Sequence, residues 1–226
     1  MAAKLENYHF YQHDWDSYQQ LHDYFEFEIP NEFNIAEYVC DRWVDGNSRV
    51  AVFTEYPDGT DDTHTFWQLQ RKANQFANYL DSNGIGEGDR VAVGGAQKPE
   101  TLITHLGTWK VGAESVPLSS LFGPDGLHYR LCDSETSAFV IDETTIGALR
   151  NIVDPLPDLE HVLVVGDTEL QGGEVEFGST IAEYGTNHET ASKSPEEPAT
   201  VLYTSGTTGA PKGTVIPHQI DRKSVV

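Results

Sequence analysis

From Arg90 onward the chain alternates short apolar runs with amphipathic stretches, and no other feature constrains its fold as much. RVAVGG (90–95), ESVPL (114–118), AFVID (138–142) and HVLVVGD (161–167) read as short buried strands. Between them lie a helix opened by Pro99 and carrying Leu102, Ile103 and Leu106, then PDGLHYRLCDSE and ETTIGALRNIVD, each with a helical pattern. Strand and helix in strict turn imply crossover connections. The expected fold class is therefore α/β, with a mostly parallel sheet flanked by helices.

The flanking segments are more varied. NIAEYVCDRWVDG (34–46) reads as a helix capped by Asn34, with Ile35, Tyr38, Val39, Arg42 and Trp43 on one face and Gly46 at its end. RVAVFTE and DTHTFW, joined by YPDGTD, read as a β-hairpin. A second amphipathic helix runs from about Trp67 to Leu80, with Leu69, Ala73, Phe76, Ala77 and Leu80 inward. Past Gly166 the pattern loosens: TELQGGEVEFGS suggests a small hairpin, TIAEYG a short helix, and TNHETASKSPEEP a polar linker.

Charge narrows the partners. The 226 residues carry 36 acidic side chains against 14 basic ones, a formal charge of -22, and the acids are spread along the whole chain. Binding nucleic acid or an anionic membrane needs clustered Lys and Arg, so neither is an expected partner. Such a surface resembles that of cytosolic proteins from salt-accumulating microbes, and a halophilic archaeal origin is the expectation. There, high ionic strength screens the self-repulsion that loosens the fold in dilute buffer. Cys40 and Cys132 lie far apart without metal-ligand spacing, and each reads as a reduced, buried small hydrophobe. The first residues, MAAKLENYHFYQHDWDSY, lack the apolar core of a signal peptide, and no run is long enough to span a bilayer. A soluble, cytoplasmic protein is expected.

Several motifs fail on inspection. GIGEGD lacks the spacing of a dinucleotide fingerprint and precedes a strand where that fingerprint follows one. DGTDD (58–62) misses the calcium-loop spacing and falls in the hairpin turn. His9 and His13 stand four apart, yet no third metal ligand accompanies them.

One stretch remains, LYTSGTTGAPKG (202–213). Phosphate oxygens need several donors converging from a backbone that can approach closely. Glycines permit the approach, hydroxyls add donors and a lysine adds charge. It is not a Walker loop: the four residues after Gly206 end at Ala210, and Pro211 stands where a second glycine is required. The flanks ATVLY and GTVIP both read as strands, so the loop is slung between two strands instead of opening a helix. A merely flexible turn would explain neither the lysine before the second strand nor the rigid proline.

YTSGTTGAPKG is similar to the signature of the adenylate-forming, AMP-binding enzymes: acyl-CoA synthetases, luciferases and peptide-synthetase adenylation domains. HTFWQLQRKANQFANYL, GDRVAV, KPETLITHLGTWKVGAESVPL and DSETSAFVID resemble further family segments, and EIPNEFNIAEYVCDRW resembles those of synthetases related to acetyl-CoA synthetase. The likeness runs from about Phe25 to His218 and marks the chain as the N-terminal part of a short- or medium-chain acyl-CoA synthetase. It implies ATP-dependent activation of a small-molecule carboxylate to an acyl-adenylate, followed by transfer to coenzyme A, with Mg2+ as the metal. By the same resemblance Thr204, Ser205, Gly206, Thr207, Thr208 and Gly209 would cradle the terminal phosphates of ATP, and Lys212 would add charge at the rim. No residue of this chain is implicated in a covalent step.

The resemblance also implies absences. The Thr-Glu pair that helps hold magnesium, the ribose-binding aspartate and the C-terminal domain with its adenylation lysine lie downstream in the family, and none of these motifs occurs in the 226 residues. The last residues, QIDRKSVV, depart from the family's usual continuation. The implied organisation is a helical N-terminal extension (1–48), an alternating β/α region (49–186), a linker (187–199) and a strand-loop-strand phosphate loop (200–217). On this reading the chain is truncated and inactive alone. A catalytically silent module that binds nucleotide or a protein partner is the alternative, and a complementing second chain remains open.

Overall fold

In the computed structural model residues 14–24, 30–44, 46, 48–56, 58–204 and 210–219 are described. Nine strands and seven α-helices appear among them, in the order α1 (Tyr18–Tyr24), α2 (Ile35–Val39), β1 (Val50–Glu55), β2 (Asp61–Thr65), α3 (Phe66–Ser82), β3 (Arg90–Gly94), α4 (Pro99–Lys110), β4 (Glu114–Leu118), α5 (Pro124–Asp133), β5 (Thr136–Asp142), α6 (Ile146–Arg150), β6 (His161–Val165), β7 (Glu174–Glu176), α7 (Phe177–Ala182), β8 (Pro198–Thr204) and β9 (Lys212–Pro217). Strands β1 and β2 form a separate antiparallel hairpin, while the other seven build one sheet in the order β7-β6-β5-β3-β4-β8-β9. All its pairings are parallel except β8 with β9.

The continuous apolar runs are explained by burial on both faces. Val91, Ala138, Val140 and Leu163 point into a core shared with α3, α4 and α7. Their neighbours Ala92, Phe139, Ile141 and Val164 point the other way, into a core covered by α5 and α6. Alternate residues thus serve opposite layers, as a doubly covered parallel sheet demands. Gly107 lets α3 and α4 approach: a Cβ there would fall 2.7 Å from the Phe76 ring and 2.9 Å from the Ala73 carbonyl.

Local chemistry shifts several boundaries. DTHTFW stops being a strand at Thr65, because Thr65 and Gln68 form a reciprocal capping box that opens α3 at Phe66. The five apolar residues assigned to the inner face of α3 are all buried. Asn34 does cap α2, accepting from Ala36 N–H. The helix ends at Val39, however, and Asp41–Trp43 tightens into a 3-10 turn. That rotation buries Ile35, Ala36 and Cys40, while Trp43 stays partly exposed beneath the Arg42 and Arg49 guanidinium groups. Leu102 likewise faces outward, although Ile103 and Leu106 are buried. TELQGGEVEFGS forms no hairpin: only Glu174–Glu176 is a strand, and it adds to β6 in parallel. Arg150 grips Glu174 through two hydrogen bonds and holds it there. Cys40 is buried and Cys132 half-buried, and both are free thiols. The His9 and His13 pair lies outside the described residues.

The polar stretch after α7 has no regular structure, yet side chains hold it tightly. Asn74 and Asn78, one turn apart on α3, donate to the carbonyls of Thr186, Gly185 and Asn187. Asn34 donates to Ala191 O, and buried Lys110 binds both Asp41 and Thr190. Lys193, also buried, pairs with Glu197 at 2.9 Å. These contacts carry the chain over α3 and α4, from the β7 edge to the place of β8.

His105, on α4, stacks against Trp109, and its Nδ1 has no hydrogen-bond partner. Burial lowers its pKa to about 4. The unfolded chain therefore takes up this proton first as pH falls below about 6.5, and the resulting loss of stability continues until the folded pKa is passed. Relative to His105→Phe, wild-type stability should fall by about 1–2 kcal/mol between pH 7 and pH 5. Urea midpoints at the two pH values check this, and parallel pH curves would contradict it.

Candidate phosphate-binding site

Strands β8 and β9 form an antiparallel hairpin in which Thr204 faces Lys212 and Tyr203 faces Gly213. Ser205–Gly209, which join them, lie outside the described residues. The flanks are thus strand and strand, the arrangement read from their β-branched sequences, and Lys212 opens a strand where a Walker lysine would open a helix. Thr204 and Lys212 are both exposed at the mouth of the loop.

The hairpin is attached to the sheet at its base. Its ladder to β4 consists of one register pair, Ser115 with Thr200, whose hydroxyls lie 3.1 Å apart. Trp109 donates from Nε1 to Ala199 O at 2.8 Å. Beyond Thr200 the support comes from α5. Tyr203 donates its hydroxyl to Asp133 at 2.7 Å, and Tyr129 donates its own to Pro211 O at 2.8 Å. Burial, reinforced by the Asp133 carboxylate, pushes the Tyr203 phenol far above its usual range, so it remains a donor. Gly213 makes room for this arrangement: a Cβ there would lie 2.9 Å from Val201 Cγ1 and 3.4 Å from the Tyr203 ring.

The lysines differ in their ion pairing. Lys98, Lys110 and Lys193 are each neutralised by carboxylates. Lys212 at the mouth of the loop, like Lys72 on α3, takes part in no ion pair among the described residues, although both stand in a chain of charge -22. An exposed ammonium beside a glycine- and threonine-rich sequence can attract an anion.

A second crevice opens where β3, β5 and β6 end, at the point where β4 and β5 leave on opposite sides of β3. Its chemistry is already satisfied internally. Asp142 accepts from Ala96 N–H at 2.8 Å and from the backbone and hydroxyl groups of Thr144 and Thr145. Burial alone would raise its carboxyl, but these hydrogen bonds and the nearby Lys98 hold it below the usual range. Lys98 in turn is bound by Glu143 at 2.7 Å. No group of three or more His, Cys, Asp or Glu among the described residues is arranged to hold a metal ion. No helix there is long and apolar enough to cross a membrane.

Sequence reading found both arms of the loop and missed its support. Tyr129 and Asp133 stand four residues apart on α5, which places them on one helix face. That spacing was the available signal.

Known proteins resemble the chain over most of its length. Residues 40–220 match the family model described as AMP-binding enzyme. The acetyl-coenzyme A synthetase of Bacillus subtilis is 32% identical over 226 residues, covering 92% of this chain and 38% of the relative. The medium/long-chain-fatty-acid--CoA/3-oxocholest-4-en-26-oate--CoA ligase of Mycobacterium marinum is 31% identical over 196 residues, covering 84% and 34%. Among solved structures, the anthranilate CoA ligase AuaEII in complex with anthranoyl-AMP superposes with a TM-score of 0.76 at 28% identity, over 84% of this chain and 36% of that one. The Brucella canis acyl-CoA synthetase does so with a TM-score of 0.74 at 28% identity, over 83% and 34%. The chain spans about a third of the length of each of these relatives. It belongs to the AMP-binding enzyme family, and its α/β fold is that of the N-terminal region of the acyl-CoA synthetases.

Proposed function

We propose that these 226 residues supply the terminal-phosphate site of an ATP-dependent acyl-CoA synthetase acting on a short- or medium-chain carboxylic acid. The observation that carries this reading is exposed Lys212, in no ion pair among the described residues, facing Thr204 across the mouth of the loop. The hydroxyls and amides of Thr204, Ser205, Gly206, Thr207, Thr208 and Gly209 cradle the β- and γ-phosphates, and Lys212 contributes charge at the rim. Their role is to orient and stabilise the pyrophosphate leaving group while the acid's carboxylate attacks the α-phosphorus. Coenzyme A then displaces AMP to give the thioester.

Magnesium would ride on the phosphates, and this chain provides no cluster of side chains to hold it among the described residues. Loop contacts worth a few kcal/mol fall short of the ~8–23 kcal/mol of barrier lowering typical of enzymes. The 226 residues alone therefore bind without turning over. The acidic surface further suggests a salt-rich cytoplasm as the working environment.

Calorimetry with ATP tests the reading. Saturable binding is expected, and Lys212→Met should weaken it roughly tenfold, the scale of one charge-assisted contact. ATP–pyrophosphate exchange by the same chain should stay at background. Robust exchange, or binding indifferent to Lys212, would overturn the proposal.

A further inference from the structure

Arg130 lies on α5 directly beneath the hairpin and is 9% exposed. Its guanidinium carbon stands 3.8 Å from the Phe122 ring centroid and 5.5 Å from that of Tyr203. Nη1 donates to Gly126 O at 2.7 Å, whereas buried Nε has no acceptor. Among the described residues no carboxylate pairs with it. An unneutralised cation is costly to bury, and in a chain with 36 acidic side chains a neutralising partner would be easy to supply. Its isolation makes sense if the compensating anion arrives with a ligand.

The neighbours of Arg130 connect it to the loop. Tyr129, the adjacent residue, binds the return arm at Pro211 O, and Asp133 binds the outgoing arm at Tyr203. The Tyr129 and Tyr203 rings meet edge to face, 6.4 Å between centroids. One short helix therefore holds both arms of the loop and carries a buried positive charge between them. Charge in a poorly solvated setting acts over longer distances than charge in water.

We infer that α5 is a further part of the polyphosphate site, in which Arg130 holds positive potential beneath the β8–β9 hairpin while Tyr129 and Asp133 tether its two arms at Pro211 and Tyr203. All three are positioning residues: they act through the hairpin and the field, without touching the ligand. The inference rests on the phosphate-loop reading above and extends it to residues outside the Gly/Thr segment. Arg130 replaces by a fixed charge what a flexible surface lysine would supply less reliably.

The test is binding of inorganic tripolyphosphate to the 226-residue chain at several KCl concentrations, with amide exchange of the hairpin followed in parallel. Arg130→Met should weaken binding roughly tenfold and make its salt dependence shallower, while Arg130→Lys should recover most of both. Tyr129→Phe should keep the salt slope, weaken binding about threefold and speed exchange at 202–204, 212 and 213 with little change in β3 and β5. Arg130→Met matching wild type in affinity and slope would overturn the inference. So would equal weakness of the Met and Lys variants, which would assign Arg130 to packing alone. Should Arg130→Met fail to fold, Arg130→Lys and Tyr129→Phe decide: wild-type affinity and arm exchange in Tyr129→Phe would overturn the tether. Absence of tripolyphosphate binding by the wild-type chain is a separate outcome and would refute the phosphate-loop reading itself.

Discussion

The placement of the β8–β9 hairpin depends on the irregular segment between α7 and β8. Strand β7 sits at one edge of the sheet and β8 five positions away, a distance of about 24 Å at normal strand spacing. The connecting chain crosses outside α3 and α4 without regular hydrogen bonding of its own. Its backbone groups are satisfied instead by amide side chains from the helices below, Asn74 and Asn78 from α3 and Asn34 from the α2 cap. Without that crossing β8 could not reach β4, and the loop would have no rigid base.

Two buried lysines complete the crossing. Lys110 reaches Asp41 and Thr190, and Lys193 bridges Glu197 and Glu87. A buried ion pair adds little net stability, but breaking one by removing a partner commonly costs ~3–5 kcal/mol. These pairs accordingly fix where the segment lies more than they deepen the fold. Lys212 and Arg130 join no ion pair among the described residues, and both belong to the hairpin or its support.

The sequence displayed the elements whose signal is local. Apolar runs marked β3 to β6, Pro99 and Pro124 marked helix starts, and β-branched flanks marked β8 and β9. It concealed what depends on distant partners. Asn74 and Asn78 look like ordinary solvent-facing residues of an amphipathic helix, and nothing local shows that they clasp carbonyls more than a hundred residues away. Glu174 joins β6 in parallel because Arg150 waits for it, whereas Gly172-Gly173 suggested a hairpin. Within the candidate site, Thr204 and Lys212 are placed opposite one another, while Ser205, Gly206, Thr207, Thr208 and Gly209 fall outside the described residues. The support from α5 left one local trace, the four-residue spacing of Tyr129 and Asp133, but its partners Tyr203 and Pro211 lie some seventy to eighty positions later.

The central proposal is that polyphosphate is recognised at the β8–β9 loop, and not in the crevice at the ends of β3 and β5. Amide chemical shifts of the 226-residue chain during a tripolyphosphate titration test it most directly. The expected result is saturable movement of Thr204, Ala210, Lys212 and Gly213, with 95–98 and 142–145 nearly still. Shifts confined to the second group would place the ligand in the crevice and contradict it.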